Sequence, residues 1–340
     1  MRYFLTGITG FAGPHLARRL LQEGHQVHAL IRGSSGREFD LLDLLKASEI
    51  NNIHFHFGDL VDHQSLARIF STETFDGVFH LAAQSHPPTS FVDPVGTMRN
   101  NVTGTVNLID VIQRHQPDCI LQFTSTSEVY GDECKQVGTL VEDMALRPSN
   151  PYGTSKAMID LYVQERCKNG FLKGFITRAF SHTGPRRGRN FSISWDAYHL
   201  MAIKHGRIEG RTLPVGNLQT QRVVIDVDDC VRAYYELMLK FDADSNGQAY
   251  NVCGSRESVK KMEYFTDKLI ELSGLDSIEK KIDQRVFRPI DIMIQVGCTE
   301  KIQERIGWKP TISIDQTLAN LLDYWDCKLA PTKGALRSAA

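Results

Sequence analysis

The first half of the chain alternates strand-like runs with amphipathic stretches, and this alternation restricts the fold more than any other feature. The strand-like runs are rich in β-branched and aromatic residues, and the stretches between them carry apolar residues at helical spacing. The predicted strands are RYFLTG (2–7), QVHALIR (26–32), IHFHFG (53–58), GVFHLAA (77–83), CILQFTS (119–125) and GFITRAF (174–180). Strands separated by helices pair in parallel, so the pattern predicts an α/β fold with helices on both faces of a doubly wound sheet.

Composition narrows the class of protein. The formal net charge of −1 argues against a nucleic-acid-binding surface, which is normally basic. No apolar run is long enough to cross a bilayer, and the first strand begins too early to leave room for a signal peptide. The 7 cysteines have no CxxC pair, so we expect reduced thiols in the cytoplasm and no metal site.

The segment GITGFAG, at 7–13, follows the first strand and opens the first helix. Its glycines Gly7, Gly10 and Gly13 would let the backbone approach a diphosphate at a helix N-terminus. A tight strand–helix turn without a ligand is the alternative. The position at the first strand of a doubly wound pattern favours a dinucleotide and a Rossmann-type sheet.

The end of the second strand indicates which dinucleotide is bound. NAD sites usually place an acid here to hold the ribose diol, whereas this chain has Arg32, Ser34, Ser35 and Arg37. Cations and hydroxyls suit a 2′-phosphate, so we predict NADP. A solvated basic loop is the alternative.

Other strand ends complete the predicted cofactor site. We expect Asp59 and Leu60 to meet the adenine, and the small side chains of Ala82 and Ala83 to lie beside a ribose, although these positions could be plain strand ends. The full set of predicted cofactor contacts is Gly7, Thr9, Gly10, Phe11, Ala12, Gly13, Arg32, Ser34, Ser35, Arg37, Asp59, Leu60, Leu81, Ala82, Ala83, Gln84, Tyr152 and Lys156.

Two motifs, TSTSEVYG at 124–131 and PYGTSK at 151–156, carry the predicted chemistry. Tyr152 and Lys156 are four residues apart on an expected helix, so they share a face. A neighbouring ammonium and a positive nicotinamide favour the phenolate, which lets tyrosine act as a base. Thr126 and Glu128 are two residues apart, and in a strand their side chains would point to the same side.

Together, the glycine motif, the Ser/Thr-rich strand end and YxxxK resemble the short-chain dehydrogenase/reductase superfamily, extended type. STSEVYG is similar to STSELYG of the GDP-mannose 4,6-dehydratase family, and this resemblance implies that Thr126, Glu128, Tyr152 and Lys156 are catalytic. The carboxylate indicates elimination of water, which a plain reductase does not need. The alternative is a structural or helix-capping role for Glu128 in an epimerase or reductase.

The second half extends the resemblance. FSHTGPRRGRNF (180–191), GNLQTQR (216–222) and FRPIDIM (287–293) resemble family segments that face the nucleotide sugar, and HLAAQSH resembles a segment beside the sugar. The resemblance implies that the substrate-binding residues are Ser85, Ser181, Arg187, Asn190, Arg222 and Arg288. Arginines hold phosphate oxygens in bidentate fashion, although surface ion pairs are the alternative.

Three departures from the family pattern fall in this region. Ser181 replaces an asparagine, Val223 replaces an aspartate in a segment closer to related reductases, and Cys298 replaces an aspartate. Because of these departures, the sequence does not identify the sugar of the substrate.

We predict a Rossmann domain at 1–178 joined by a later strand near 249–253, a smaller mixed α/β sugar-nucleotide domain at 179–330, and a flexible tail at 331–340.

The resemblance implies an NADP-dependent enzyme that converts GDP-mannose to GDP-4-keto-6-deoxymannose. The alternatives are a GDP-4-keto-6-deoxymannose 4-reductase, a 4,6-dehydratase for a sugar such as a GDP-heptose, and a binding or regulatory protein that keeps only the fold. The family also implies pairing between subunits through helices near 94–114 and 151–169. RGSSGR resembles a loop that bridges further subunits, so a homodimer or a homotetramer is expected.

Overall fold

The computed structural model describes residues 1–33, 41–284 and 292–330. The strands are β1 (Arg2–Thr6), β2 (Gln26–Ile31), β3 (Ile53–Phe57), β4 (Gly77–His80), β5 (Ile120–Thr126), β6 (Lys173–Ala179), β7 (His182–Thr183), β8 (Thr212–Val215), β9 (Gln221–Arg222), β10 (Ile225–Asp226), β11 (Ala249–Val252), β12 (Lys260–Lys261), β13 (Glu279–Ile282) and β14 (Ile294–Gln295).

The helices are α1 (Ala12–Gln22), α2 (Ala47–Ile50), α3 (His63–Thr72), α4 (Pro87–Val92), α5 (Pro94–Met98), α6 (Gly104–His115), α7 (Cys134–Val137), α8 (Pro151–Lys168), α9 (Ser192–Lys204), α10 (Val227–Leu239), α11 (Met262–Ser273), α12 (Glu300–Ile306) and α13 (Ile314–Leu329). A π-helical turn, Arg99–Thr103, joins α5 to α6, and 3-10 turns span Ser127–Tyr130, Ala243–Ser245 and Arg256–Ser258.

A seven-stranded sheet organises the first half of the chain, with the strand order β11-β6-β5-β4-β1-β2-β3. All of its strand pairs are parallel. The predicted doubly wound α/β fold is therefore confirmed. The order reverses between β1 and β4, and ligands of such sheets bind at the carboxyl ends beside this reversal.

Alternate side chains of the central strands enter two separate cores. Tyr3 and Leu5 of β1 belong to a cluster that also contains buried residues of α1 and α10. Phe4, between them, belongs to a second cluster with residues of α3, α6 and α8. This period of two explains why the strands read as continuous apolar runs: both faces of the sheet are covered.

A third core supports the C-terminal part of the cleft described below. It gathers buried residues of α9, α11 and α13, with Leu213 and Val215 from β8. β8 pairs in parallel with β13, and β9 pairs with β12 and β14. Within the described residues, no helix is both long and apolar enough to span a bilayer.

Candidate active site

One cleft of about 900 Å³ lies at the carboxyl ends of the sheet strands and extends to α9 and α11. The predicted site residues that the structure describes all line it: Gly7, Thr9, Gly10, Phe11, Ala12, Gly13, Arg32, Asp59, Leu60, Leu81, Ala82, Ala83, Gln84, Ser85, Thr126, Glu128, Tyr152, Lys156, Ser181, Arg187, Asn190 and Arg222. The predicted contacts Ser34, Ser35, Arg37 and Arg288 lie outside the described residues.

Two glycines of the loop after β1, Gly7 and Gly13, pack too closely against backbone to be replaced by a residue with a side chain. Gly7 has φ +80°, and a Cβ there would lie 2.7 Å from the Ala82 backbone nitrogen. A Cβ at Gly13 would lie 2.2 Å from the Gly7 carbonyl oxygen. At Gly10, the only neighbour within 4 Å of a Cβ among the described residues is that same carbonyl oxygen, at 3.1 Å, so the loop presents bare backbone to the cleft. With α1 beginning directly behind it, the loop fits a dinucleotide diphosphate.

A hydrogen-bond network ties the turn after β4 to α8. Asn101 accepts from the Gln84 backbone N–H at 2.8 Å and donates to the Ser155 hydroxyl at 2.9 Å. The Gln84 side chain donates to Thr97 at 3.0 Å. These hydrogen bonds connect the cofactor side of the cleft to the helix that carries Tyr152.

Tyr152 and Lys156 lie one turn apart near the start of α8, and both are buried. The Tyr152 backbone N–H donates to the Ser90 hydroxyl at 3.1 Å. Lys156 Nζ donates to the Thr124 carbonyl oxygen at 2.7 Å and lies 4.8 Å from the centre of the Phe123 ring. These contacts fix both side chains against the end of β5.

Burial governs the ionisation of this pair. Desolvation raises the pKa of Tyr152 to about 12, although a hydrogen bond with Thr126 and the charge of Arg187 lower it. Desolvation also lowers the pKa of Lys156 to about 7, with Asp160 acting in the opposite direction. The expectation that the Lys156 ammonium and a bound nicotinamide together favour the phenolate stays a prediction. In the protein alone, the loss of water raises the pKa of Tyr152 more than nearby positive charge lowers it.

Glu128 reaches the cleft by a route that differs from the expected strand. β5 ends at Thr126, and Glu128 lies in the 3-10 turn that follows. The Thr126 hydroxyl accepts from the Glu128 backbone N–H at 3.3 Å and so caps this turn. The backbone carbonyl oxygen of Glu128 lies against Gly153, and a Cβ at residue 153 would be 2.8 Å from this oxygen. We expected Thr126 and Glu128 to point to the same side because both would lie in one strand. This expectation is wrong, because the strand ends at Thr126 and the capped 3-10 turn brings Glu128 to the cleft.

Asn150 holds the Glu128 side chain in place. Its Nδ2 donates to Glu128 Oε2 at 2.8 Å, and its Oδ1 accepts from the Gly153 N–H at 2.8 Å. The same asparagine is the N-cap of α8, with Pro151 at the first helical position. Sequence analysis missed Asn150, although Asn before Pro is a helix-start signal that could have identified it.

Cationic side chains line the part of the cleft beyond the sheet. The Arg187 guanidinium lies 4.7 Å from the ring centre of Phe11 in the glycine loop and 3.5 Å from that of Phe191. Arg222 is buried and donates to the Ile292 carbonyl oxygen at 2.7 Å. Arg187 thus contacts both the loop and the second half of the chain, where a diphosphate could bridge them.

Other cleft residues were not expected. Asp196 and Thr266 come from α9 and α11, and Gln295 accepts from the Ser127 hydroxyl at 3.3 Å. No local pattern marks these positions, because tertiary packing of distant segments brings them to the cleft.

Comparison with known proteins identifies the family. The family model described as GDP-mannose 4,6 dehydratase matches residues 4–321. GDP-mannose 4,6 dehydratase 2 of Arabidopsis thaliana is 31% identical, over 98% of this chain and 89% of that protein. GDP-6-deoxy-D-mannose reductase of Pseudomonas aeruginosa is 28% identical, over 96% of this chain and 98% of that one.

A solved structure has a similar fold along nearly the whole chain. The structure of RMD from Pseudomonas aeruginosa complexed with NADPH has a TM-score of 0.79 and 25% identity, and covers 96% of this chain and 99% of that one. The resemblance stated from the sequence motifs is thereby confirmed. Since the family model matches nearly the whole length, the chain belongs to the GDP-mannose 4,6-dehydratase family of sugar-nucleotide enzymes.

Proposed function

We propose that the protein is an NADP-dependent GDP-mannose 4,6-dehydratase that forms GDP-4-keto-6-deoxymannose in the cytoplasm. One observation carries the proposal: a buried carboxylate, Glu128, lines the cleft together with Thr126 and Tyr152. Hydride transfer to or from a hydroxyl carbon needs no such carboxylate, whereas elimination of water needs a group that takes one proton and delivers another.

The cofactor site supports NADP. Arg32, at the end of β2, lines the cleft and offers a cation to a 2′-phosphate. The similar structure of RMD from Pseudomonas aeruginosa is a complex with NADPH. Gly7, Gly10 and Gly13 would hold the dinucleotide diphosphate, and Arg32 would hold the 2′-phosphate. The bound nicotinamide would supply a positive charge in its oxidised form and the hydride exchange that oxidises C4 and reduces C6 of the sugar.

Tyr152 takes the proton of the C4 hydroxyl, and Thr126 hydrogen-bonds the C4 oxygen. Because the pKa of Tyr152 is about 12 in the protein alone, this step depends on further positive charge in the cleft. Lys156, whose pKa is about 7, adds to that charge when it is protonated.

Glu128 carries the elimination. Oxidation at C4 makes the C5 proton acidic, and Glu128 removes it. The same carboxyl then protonates the C6 hydroxyl, which leaves as water, so Glu128 returns to its starting state. Reduction at C6 leaves an enolate, which takes up one proton from solvent at C5. Tyr152 releases to solvent the proton that it took from the C4 hydroxyl, so the net change is the loss of one water. Asn150 keeps the carboxylate aligned through both transfers. The cofactor is regenerated in each turnover, so no external reductant is consumed.

The proposed substrate contacts are Arg187, Arg222 and Arg288 for the diphosphate, and Ser85, Ser181 and Asn190 for the rest of the nucleotide sugar. Arg187 and Arg222 are well suited to this role because each approaches the cleft from a different segment.

We further propose the division into domains at residue 178 and assembly into a homodimer or homotetramer.

Exposed apolar side chains support that assembly. Val95 of α5 is 77% exposed, and Met158 and Leu161 of α8 are 48% and 56% exposed. These residues lie within the two segments expected to pair between subunits.

Isotope transfer tests the reaction. GDP-mannose deuterated at C4 should give a 4-keto product that retains deuterium at C6, because the hydride removed from C4 returns to the same molecule. A product with only solvent hydrogen at C6 would contradict the proposed route.

A second candidate function is reduction of a GDP-4-keto-6-deoxy sugar. It is favoured by the similarity to GDP-6-deoxy-D-mannose reductase and by the reductase-like segment around Val223. Such an enzyme would consume one NADPH per product and leave GDP-mannose unchanged. The remaining alternative is a 4,6-dehydratase for a related sugar. Incubating the protein with several nucleotide sugars, including a GDP-heptose, and measuring loss of water tests it.

A further inference from the structure

The cleft contains a carboxyl group that the proposed reaction does not use. Asp196 lies in the second turn of α9, lines the cleft and is 4% exposed. Thr266 of α11 donates a hydrogen bond to its Oδ2 at 2.7 Å. From residues 1–33, 41–284 and 292–330, the Asp196 side chain receives no other hydrogen bond and no ion pair.

This carboxyl destabilises the fold when it ionises. Burial raises the pKa of Asp196 to about 7, with only the Thr266 hydrogen bond acting in the opposite direction. A buried carboxylate without a cation costs stability, and an apolar side chain could fill the same space without that cost. A role in binding a ligand therefore explains a carboxyl group at position 196 better than a role in packing does.

The proposed placement of the substrate leaves one part of the cleft for the nucleobase. The sugar must reach Tyr152, and the diphosphate needs arginines such as Arg187, while a carboxylate would repel it. The region of Asp196 also includes Leu218 and Met262, which line the cleft and pack against the third core. These apolar surfaces suit the faces of a planar base.

We infer that Asp196, oriented by Thr266, selects guanine by accepting hydrogen bonds from its N1–H and its exocyclic N2–H. The inference rests on the proposed function for the positions of sugar and diphosphate. Guanine presents two adjacent donors on this edge, whereas adenine, cytosine and uracil present a donor beside an acceptor. A carboxylate, which only accepts, therefore pairs fully with guanine alone among these bases.

Calorimetric titration of the full-length protein with nucleoside diphosphates tests this inference. At pH 8, where Asp196 is ionised, GDP should bind about ten- to a hundred-fold more tightly than IDP, because inosine lacks the N2 amino group. UDP should bind more weakly than GDP. Equal affinities for GDP and IDP would overturn the inference, and this comparison needs no variant.

The Asp196→Asn variant should shift the preference of the protein from GDP toward XDP. An amide can donate to the 2-carbonyl of xanthine, so Asp196→Asn should lose affinity for GDP and gain affinity for XDP. Glu128→Gln makes the same chemical change at the sugar end of the cleft and should leave the GDP-to-XDP ratio unchanged. An unchanged ratio in Asp196→Asn would contradict the inference.

The titration separates this inference from the proposed reaction. Selective binding of GDP by a protein that does not dehydrate GDP-mannose would uphold the base assignment and reject the reaction. Dehydration of GDP-mannose without selectivity for GDP over IDP would reject the base assignment alone.

Discussion

Replacement of Glu128 by Gln should stop the reaction after its first step. Gln keeps an acceptor oxygen for the Asn150 N–H, which lies 2.8 Å from Oε2, so the free energy of unfolding should change by less than about 1 kcal/mol. The variant loses the proton acceptor for C5 and the donor for C6. General acid–base catalysis contributes about 10²–10⁴-fold, so the barrier to elimination should rise by about 3–5 kcal/mol.

Absorbance of reduced nicotinamide and product mass measure the two steps separately. With Glu128→Gln and GDP-mannose, NADPH should accumulate on the enzyme in a single turnover, while loss of water becomes 10²–10⁴-fold slower. Asn150→Ala serves as a control for alignment, since it keeps the carboxylate but removes its partner, and it should show a smaller loss. Wild-type rates of water loss in Glu128→Gln would refute the assignment.

Three further changes have defined outcomes. Gly13→Ala should weaken NADP binding and lower the free energy of unfolding by about 1–3 kcal/mol in denaturant melts, because the new Cβ would lie 2.2 Å from the Gly7 carbonyl oxygen. Gly33→Ala is the control and should be nearly neutral, because among the described residues its Cβ would meet only Phe57, at 3.7 Å. Arg32→Ala should weaken NADP binding about tenfold in calorimetry with little effect on NAD, and an equal effect on both would contradict the role of the 2′-phosphate. The pKa of the Asp196 carboxyl is higher in the folded protein than in the unfolded chain, so ionisation of this group favours unfolding. As pH rises from about 4 to about 7, the free energy of unfolding of the wild type should fall relative to that of Asp196→Asn, by at most about 4 kcal/mol. If the free energies of unfolding of the two proteins changed in parallel with pH, Asp196 would not be a buried acid without an ion-pair partner.

The fold class was predictable because its signals are local and repeated. Each strand of the first half is a short apolar run, and both faces of the sheet are covered by helices whose spacing is visible in the sequence. The two-residue strands are different: β7 pairs with β10, and β9 pairs with β12 and β14. Only tertiary packing creates these pairs, so no run of sequence could reveal them.

The site was predictable where motif spacing determines geometry. The glycines of the loop after β1 and the spacing of Tyr152 and Lys156 on α8 are examples. The turn that presents Glu128 was not, because it depends on the Thr126 cap and on contact with Gly153. The pKa of Tyr152 was not predictable either, since burial is a property of the assembled cleft.

Incubation of the purified protein with GDP-mannose, without added NADPH, followed by measurement of product mass tests the proposed dehydration. A GDP-mannose 4,6-dehydratase would give a product lighter by one water. Unchanged GDP-mannose, together with turnover of GDP-4-keto-6-deoxymannose only when NADPH is supplied, would contradict the proposed dehydration and would mean that Glu128 does not catalyse elimination.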